Sequence, residues 1–223
     1  METFHFFIRF LKKLGAFILE LVLPSDPSVR EIEMMTAATA AETFKKAERP
    51  AVSWIRAFFD YKDERVQKAV WELKYRGNPR IVALFGTILA DSLLEEISEL
   101  GLLEHFKNPI LVPLPLSPQR RRERGFNQCE LILDEVKKRS PGVEISYSAL
   151  RKVKNTKPQT SFTKKKDRLE NLRGAFAANA PEIDGRNIIL FDDVATTGRT
   201  LDEARRTLLE AGARDVIAYA IAH

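Results

Sequence analysis

The segment from residue 186 to residue 223 constrains the fold of this chain more than any other. Two apolar runs, RNIILFDD (186–193) and DVIAYAIAH (215–223), flank a run of helix-forming residues, TLDEARRTLLEAG (200–212). Two strands joined through one helix at this spacing form a βαβ unit, whose strands are parallel and whose crossover is right-handed. The sequence therefore predicts an α/β fold with a mainly parallel, twisted sheet flanked by helices.

The first of these strands ends on two adjacent carboxylates, Asp192 and Asp193, and a short loop separates them from the helix. Thr200 and Glu203 match the T-x-x-E capping box, which predicts that the helix begins near Thr200. Ligands of open α/β sheets bind outside the carboxyl ends of the strands, and a helix amino terminus attracts anions. The loop is therefore a candidate phosphate site, formed by Ala195, Thr196, Thr197, Gly198, Arg199 and Thr200.

The two carboxylates would repel a phosphate that bound on its own. Carboxylates accept hydrogen bonds from sugar hydroxyls and coordinate Mg²⁺, so a sugar phosphate bound with Mg²⁺ suits both parts of the motif. We therefore predict that Asp192 and Asp193 contact the sugar and the metal, while the loop contacts the phosphate. The alternative is an ordinary strand-to-helix corner, in which Asp192 caps the strand end and Thr196 caps the helix.

Charge and cysteine content exclude some kinds of site without selecting a partner. The 223 residues include 36 Lys and Arg against 31 Asp and Glu, a net charge of +5. This mild excess permits anionic ligands, nucleic acid included, but does not require them. The single cysteine, Cys129, excludes an internal disulfide and a cysteine-rich zinc site. A reducing compartment, the cytoplasm, is the expected location.

The amino-terminal segment FHFFIRFLKKLGAFILELVLP (4–24) is apolar but interrupted by four charged residues. These charges argue against a transmembrane span and against a secretory signal, whereas the apolar residues recur at helical spacing. We predict an amphipathic helix that packs on the protein's own core or on a second subunit of a homodimer. Membrane-surface binding is the other hypothesis.

Pro50 follows a run of helix-forming residues and divides the chain into a helical segment, 1–50, and a main domain, 51–223. A second helix is predicted over 30–48, and a strand-like or mixed segment follows Pro50. Within the main domain we expect helices over 63–78, 81–101 and 127–140, and strands over 109–117 and 143–150. Trp71 and Tyr75, in the first of these helices, could stack on a base; Trp71 is instead expected in the core, and the place of Tyr75 is left open.

Several motifs resemble known ones. The strand, the two acids and the sequence T-T-G-x-T resemble the phosphoribosyl-diphosphate (PRPP) motif of type I phosphoribosyltransferases. Three further segments resemble the ComF family, in the same order along the chain: YKDERVQKAVWELKYRGN (61–78), PLPLSPQRRRERGFNQ (113–128) and PQTSFTKKKDRLENLRGAF (158–176). Because the similarity runs from about residue 55 to the last residue, it is much more specific than the PRPP motif alone.

The resemblance implies a type I phosphoribosyltransferase fold and assigns roles to particular residues. Asp192 and Asp193 would hold the ribose hydroxyls, directly or through Mg²⁺, and residues 195–200 would surround the 5′-phosphate. The loop after the strand at 109–117 would face pyrophosphate, which arginine binds well. The candidates there are Arg120, Arg124, Gly125 and Asn127, with Arg121 and Arg122 as further choices. The alternative for this basic run is a solvated face.

The basic segment 151–168 matches the flexible catalytic loop of these transferases, which closes over PRPP and excludes water. Lys157 and Arg168 are the candidate catalytic residues of this loop beside Asp192 and Asp193, and Lys154 and Gln159 are further contributors. The alternatives are a mobile surface loop and a nucleic-acid contact.

One departure from the ComF pattern concerns the amino-terminal region. ComF proteins usually carry a four-cysteine zinc module there, whereas the equivalent stretch LVLPSDPSVREIE contains no cysteine.

The resemblance implies a Mg²⁺-dependent transferase that moves a 5-phosphoribosyl group to an acceptor that the sequence does not identify. The alternative is a non-catalytic member that acts in DNA uptake through single-stranded DNA or a helicase partner.

Overall fold

The computed structural model describes residues 26–48, 52–102, 106, 108–154 and 173–223, with no account of the side chains of residues 96–102. The predicted helix at 4–24 and the residues Lys157, Gln159 and Arg168 lie outside the described residues. The helices are α1 (Pro27–Glu33), α2 (Ala37–Thr43), α3 (Glu64–Arg76), α4 (Pro79–Leu102), α5 (Pro118–Arg124), α6 (Gln128–Arg139), α7 (Ala180–Ile183) and α8 (Arg199–Glu210). The strands are β1 (Ile55–Phe59), β2 (Ile110–Pro113), β3 (Glu144–Ile145), β4 (Leu150–Lys152), β5 (Phe176–Ala178), β6 (Asn187–Val194) and β7 (Asp215–Ala222).

The main sheet has five parallel strands in the order β1-β7-β6-β2-β3. Its central strand, β6, pairs with β2 on one side and with β7 on the other. Helix α8 connects β6 to β7, as expected of the predicted βαβ unit. A separate antiparallel pair, β4 and β5, lies outside this sheet. The prediction of a mainly parallel sheet flanked by helices is therefore confirmed.

Both faces of the sheet are covered, and alternate residues of β6 pack into different layers. Ile189 and Phe191 belong to the core cluster that includes residues of α1, α2, α3, α4 and α6. Ile188 and Leu190 belong to the opposite cluster, which includes residues of α7, α8 and the β4–β5 pair. Because successive side chains of a strand point to opposite faces, the same alternation governs the two aspartates that follow.

Helix α3 forms where the sequence predicts a helix. The side chain of Asp63 accepts a hydrogen bond from the backbone of Arg65 and caps the first turn, and Gly77 ends the helix in the left-handed conformation. A Cβ atom on Gly77 would lie 3.1 Å from the ring of Phe126. This close approach brings the WELKYRG segment against the RGFNQ segment, and both then lie near the carboxyl end of β6.

The single helix predicted over 30–48 is wrong. Two short helices, α1 and α2, replace it, because the chain turns at Met34–Thr36 and the Thr36 hydroxyl accepts a hydrogen bond from the backbone of Thr39 to start the second helix. Ile32 and Phe44 are buried in the cluster that also contains Phe59. The division near residue 50 stays a prediction.

The strand predicted over 143–150 is shorter than expected. Only Glu144 and Ile145 join the sheet, and Leu150 already belongs to β4. Between them the Ser146 hydroxyl accepts a hydrogen bond of 3.0 Å from the backbone of Ala149 and turns the chain. Among the helices in the described ranges, none is both long and apolar enough to cross a membrane.

Candidate functional site

Asp192 and Asp193 lie at the carboxyl end of the central strand. Asp192 lines a small hollow together with residues 194–201 of the following loop and helix. Asp193 does not line that hollow and is 4% exposed. The hydrogen bond that Asp193 N–H donates to Asp192 Oδ1, at 2.8 Å, fixes the first carboxylate against the strand. The two acids therefore occupy different environments although they are adjacent in the chain.

Two side chains from the helical layer bind the carboxylate of Asp193. Lys74 Nζ, from α3, lies 3.2 Å from Oδ1, and Gln128 Nε2, at the start of α6, donates a hydrogen bond of 2.7 Å to Oδ2. Gln128 in turn accepts a hydrogen bond of 2.8 Å from Arg124. Both oxygens of Asp193 are thus engaged by the protein.

The site concentrates negative charge in a buried place. Burial, followed by repulsion from Asp193, raises the pKa of Asp192, while Lys74 opposes the rise. Burial alone would lower the pKa of Lys74, but attraction to Asp193 and Asp192 raises it above its ordinary value. Burial also raises the pKa of the Cys129 thiol, whose sulfur lies 3.9 Å from Asp192 Oδ1. Cys129 is therefore a neutral packing residue, without thiolate reactivity.

The loop after β6 is shaped by Gly198. This residue is buried, has a φ of 68° and precedes the first residue of α8. A Cβ atom there would lie 2.9 Å from Ile55 Cδ1, so the loop needs glycine for conformation and for space. The cap residue of α8 is Gly198, which has no side chain of its own, and the first residues of this 12-residue helix line the hollow.

The predicted capping box at Thr200 is wrong. Helix α8 begins one residue earlier, at Arg199, with Gly198 as its cap. Glu203, the expected box partner, accepts a hydrogen bond of 2.6 Å from the backbone of Gly174 and pairs with Arg206. Its carboxylate therefore anchors the return of the chain into β5 and is not available to the helix start.

The candidate pyrophosphate residues lie on α5 and immediately after it. Arg120 is exposed, and Gly125 ends the helix with a φ of 84°. Arg124 lies 5.5 Å from the centre of the Tyr75 ring besides contacting Gln128. Asn127 is buried and caps α6, with its amide donating to the carbonyl oxygen of Leu114 at 3.1 Å. A pyrophosphate contact for these residues stays a prediction.

The sequence did not single out three of the charged or polar residues that lie near the acids. Lys74 and Gln128 contact Asp193 directly. Lys152, on β4, has its pKa lowered by burial and then by Arg120, while Asp192 acts in the opposite direction. Gln128 closes the RGFNQ segment and Lys74 lies in the WELKYRG segment, which are usable signals, whereas nothing distinguished Lys152 from the other lysines.

An aromatic pair borders this region on the outside of α3. Trp71 and Tyr75 are 49% and 60% exposed, and their ring centres are 5.3 Å apart. The prediction that Trp71 lies in the core is therefore wrong, because Trp71 falls on the opposite side of α3 from Val70 and Leu73. The guanidinium of Arg76 lies 5.3 Å from the Trp71 ring centre.

Residues 127–223 match the family model of the phosphoribosyl transferase domain. The chain is also 33% identical over 157 residues to competence protein ComFC of Bacillus subtilis (strain 168), an alignment that covers 70% of this chain and 58% of that protein. The chain belongs to the ComF family. Its fold is that of the type I phosphoribosyltransferases, as the domain match and the parallel sheet both indicate.

Other ComF-type relatives are similar over shorter stretches. Competence protein F of Haemophilus influenzae is 32% identical over 114 residues, covering 50% of this chain and 49% of that protein. DNA utilization protein YhgH of Escherichia coli (strain K12) is 34% identical over 106 residues, covering 48% and 45%. The chain thus spans between 45% and 58% of the length of these three relatives.

A solved structure described as the allosteric regulatory enzyme of purine biosynthesis has 16% sequence identity and a TM-score of 0.41, over 68% of this chain and 30% of that one.

The ComF-family chain departs from the usual cysteine pattern of the family in one respect. With Cys129 as its single cysteine, it contains no four-cysteine zinc module.

Proposed function

We propose that this ComF-family protein binds PRPP and transfers its 5-phosphoribosyl group to an acceptor, with release of pyrophosphate. One observation carries the proposal: Asp192 and the loop that precedes α8 line one hollow at the carboxyl edge of a parallel sheet. A carboxylate suits the ribose hydroxyls, and a glycine-containing loop at a helix amino terminus suits the 5′-phosphate. Because the carboxylate and the loop line one hollow, the ligand expected there is a sugar phosphate.

Groups around this hollow are proposed to carry out the chemistry. Residues 195–200 hold the 5′-phosphate, and the carboxylate of Asp192 orients the ribose. Arg120 and Arg124, with the backbone at Gly125 and Asn127, are proposed to take up the charge that develops on pyrophosphate as the bond from C1 to oxygen breaks. The acceptor then forms a bond to C1 and loses its proton. Lys157 and Arg168 are proposed to act from the loop outside the described residues.

Mg²⁺ is the metal that we propose for this site. It is commonly held by one or two carboxylates together with substrate oxygens, and it would neutralise charge on the departing pyrophosphate. Asp192 fits this pattern, since it lines the hollow. Within the described ranges, no group of three or more histidine, cysteine, aspartate or glutamate side chains could hold a metal by itself. The metal would therefore be held by Asp192 together with oxygens that PRPP supplies.

Titration calorimetry with PRPP and Mg²⁺ tests the binding step. The wild-type protein should bind, and Asp192→Asn should lower the affinity by about ten-fold or more, as loss of a charged hydrogen-bond acceptor predicts. Pyrophosphate release, screened over nucleobases and amines, then tests transfer. A wild-type protein that does not bind PRPP would disprove the proposal.

A second function, handling of single-stranded DNA, is favoured by the aromatic pair. Trp71 and Tyr75 are exposed, lie close together and are each flanked by a guanidinium, from Arg76 and Arg124. Proteins that bind single strands without sequence preference combine stacking aromatic rings with positive charge along the backbone. The names of the relatives, competence protein and DNA utilization protein, agree with this function. A helicase partner, a homodimer and a cytoplasmic location belong to the same proposal.

Replacing both aromatic residues tests the second function. Trp71→Ala with Tyr75→Ala should weaken binding of a fluorescent oligothymidylate by about ten-fold or more, because stacking contributes about 1–3 kcal/mol for each base. Tyr147→Ala is the matched control, since Tyr147 is 46% exposed but lies near Asp134, away from this pair. Equal affinities of the double variant and the control for the oligonucleotide would contradict the assignment of this surface.

A further inference from the structure

We propose that the two aspartates of β6 have different functions: Asp192 is the carboxylate presented to the sugar and the metal, whereas Asp193 is a positioning residue whose resident cation is Lys74. This inference rests on the proposed function of the site and assigns the work within it. It also gives a role in the site to Lys74 and Gln128, which lie in ComF-like segments but were not assigned a function from the sequence.

Strand geometry supports the division. Asp192 continues the alternation of Ile188 and Leu190 along β6, and Asp193 that of Ile189 and Phe191, so their Cβ atoms leave the strand on opposite faces. The Asp192 carboxylate nevertheless comes within 3.9 Å of Cys129 Sγ on α6, so the division rests mainly on which carboxylate lines the hollow. The hollow formed with residues 194–201 is lined by Asp192 and not by Asp193. A ligand seated in that hollow therefore meets the first carboxylate before the second.

The contacts of Asp193 leave it little capacity for a ligand. Lys74 Nζ is 3.2 Å from one oxygen, and Gln128 Nε2 is 2.7 Å from the other. The side chain of Asp193 is 6% exposed and that of Lys74 is 22% exposed. Separating a pair as buried as this one would leave a charge without compensation, which is strongly unfavourable.

Arg124 determines which end of the Gln128 amide reaches Asp193. The guanidinium of Arg124 can only donate, and it donates to Gln128 Oε1 at 2.8 Å. The amide therefore turns its NH₂ group towards Asp193 and stabilises the carboxylate. Three side chains, Lys74, Gln128 and Arg124, thus hold β6 to the layer formed by α3, α5 and α6.

The Lys74–Asp193 pair also determines the charge that the hollow presents. Lys74 already supplies the positive charge that a metal would supply at Asp193, so Asp192 is the one carboxylate of the two that lines the hollow. A phosphate-bearing ligand then meets less repulsion than two free carboxylates would cause. A divalent cation likewise finds one protein ligand at the site, together with the oxygens of the sugar phosphate.

Four variants test the inference: Asp192→Asn, Asp193→Asn, Lys74→Met and the double variant Lys74→Met with Asp193→Asn. The first measurement is Mn²⁺ binding without sugar phosphate, by electron paramagnetic resonance. Lys74→Met should raise Mn²⁺ affinity by about five-fold or more, because it frees a second carboxylate, and the double variant should lose that gain. Unchanged Mn²⁺ affinity in a folded Lys74→Met protein would overturn the inference.

The second measurement is calorimetric binding of ribose 5-phosphate. Asp192→Asn should weaken binding by about ten-fold or more, whereas the double variant, which removes both charges, should weaken it by no more than about three-fold. A folded double variant as weak as Asp192→Asn would show that Asp193 contacts the sugar directly and would overturn the inference.

Thermal unfolding completes the test and separates it from the proposed function. Each single change at Lys74 or Asp193 leaves a buried partner unpaired, so each should lower Tm more than the double variant does. Additive losses of Tm would overturn the pairing. If the wild-type protein binds neither PRPP nor ribose 5-phosphate, the proposed function fails, while the Mn²⁺ and Tm comparisons still decide whether Lys74 is the resident cation of Asp193.

Discussion

At the scale of single residues, the phosphate loop depends on Gly198. Its φ of 68° costs other residues about 1–2 kcal/mol, and an added Cβ would meet Ile55 at 2.9 Å. We expect Gly198→Ala to lower Tm and also to weaken binding of ribose 5-phosphate, because the loop must shift to relieve the contact. Calorimetry and thermal unfolding measure the two effects.

Gly185→Ala is the matched control for that change. Gly185 has nearly the same φ, 67°, but a Cβ there would meet nothing within 4 Å, and the residue precedes β6 at its opposite end. This variant should lose stability through backbone strain and keep its affinity for ribose 5-phosphate. If both variants bound as tightly as the wild-type protein, the loop would not be the phosphate site.

The sequence predicted some parts of the site and missed others for a physical reason. Asp192, Asp193 and the loop to Thr200 are contiguous, so an apolar run followed by acids, glycine and a helix indicates them locally. Lys74 and Gln128 lie inside the ComF-like segments 61–78 and 113–128, but they reach Asp193 only when α3 and α6 pack on the sheet, so the sequence alone did not give them a role. Likewise, the helical pattern near Thr200 predicted the start of α8 to within one residue but assigned the wrong partner to Glu203.

At the scale of secondary-structure elements, Asp26 joins α1 to α3. Its carboxylate accepts a hydrogen bond from the Ser28 backbone at 3.0 Å and lies 2.9 Å from Lys68 Nζ. The hydrogen bond from the Ser28 hydroxyl, followed by Lys68, lowers the pKa of Asp26 to about 2. Because the folded-state pKa is below that of the unfolded chain, about 3.9, the stabilisation is present above pH 4 and is lost as the pH falls towards 2.

Asp26→Asn tests this pH dependence and keeps an oxygen that can cap the helix. The variant should have a lower Tm than the wild-type protein at pH 7, and the difference should narrow below about pH 4. Thermal unfolding followed by circular dichroism between pH 3 and pH 7 measures it. A Tm difference that does not change with pH would rule out the charge of Asp26 as its cause.

At the scale of the whole molecule, residues 26–48 pack on the same core as the sheet. The Phe44 and Phe59 rings meet edge to face with centres 5.1 Å apart, and Ile32 is 1% exposed in the same cluster. Removing side chains of this kind costs about 2–5 kcal/mol each, against a typical total stability of 5–15 kcal/mol. A protein that lacks residues 1–50 should therefore lose cooperative unfolding or show a much lower Tm.

A protein that lacks only residues 1–24 is the control for that deletion, since it keeps α1 and α2. Comparing the two separates the contribution of the described helices from that of the preceding segment. An unchanged Tm after removal of residues 1–50 would support a separate domain beginning at residue 51, as the proline at position 50 suggested.

The position of β6 between two partners limits which changes of chain length the site can tolerate. Its residues are in register with β2 on one side and with β7 on the other. Inserting or deleting one residue between Asn187 and Leu190 would exchange the two aspartates between the faces of the sheet and would turn the buried apolar residues the wrong way. Homologues that differ in length should therefore carry their insertions elsewhere, in the loops that join these strands to the helices, and leave the eight residues of β6 uninterrupted.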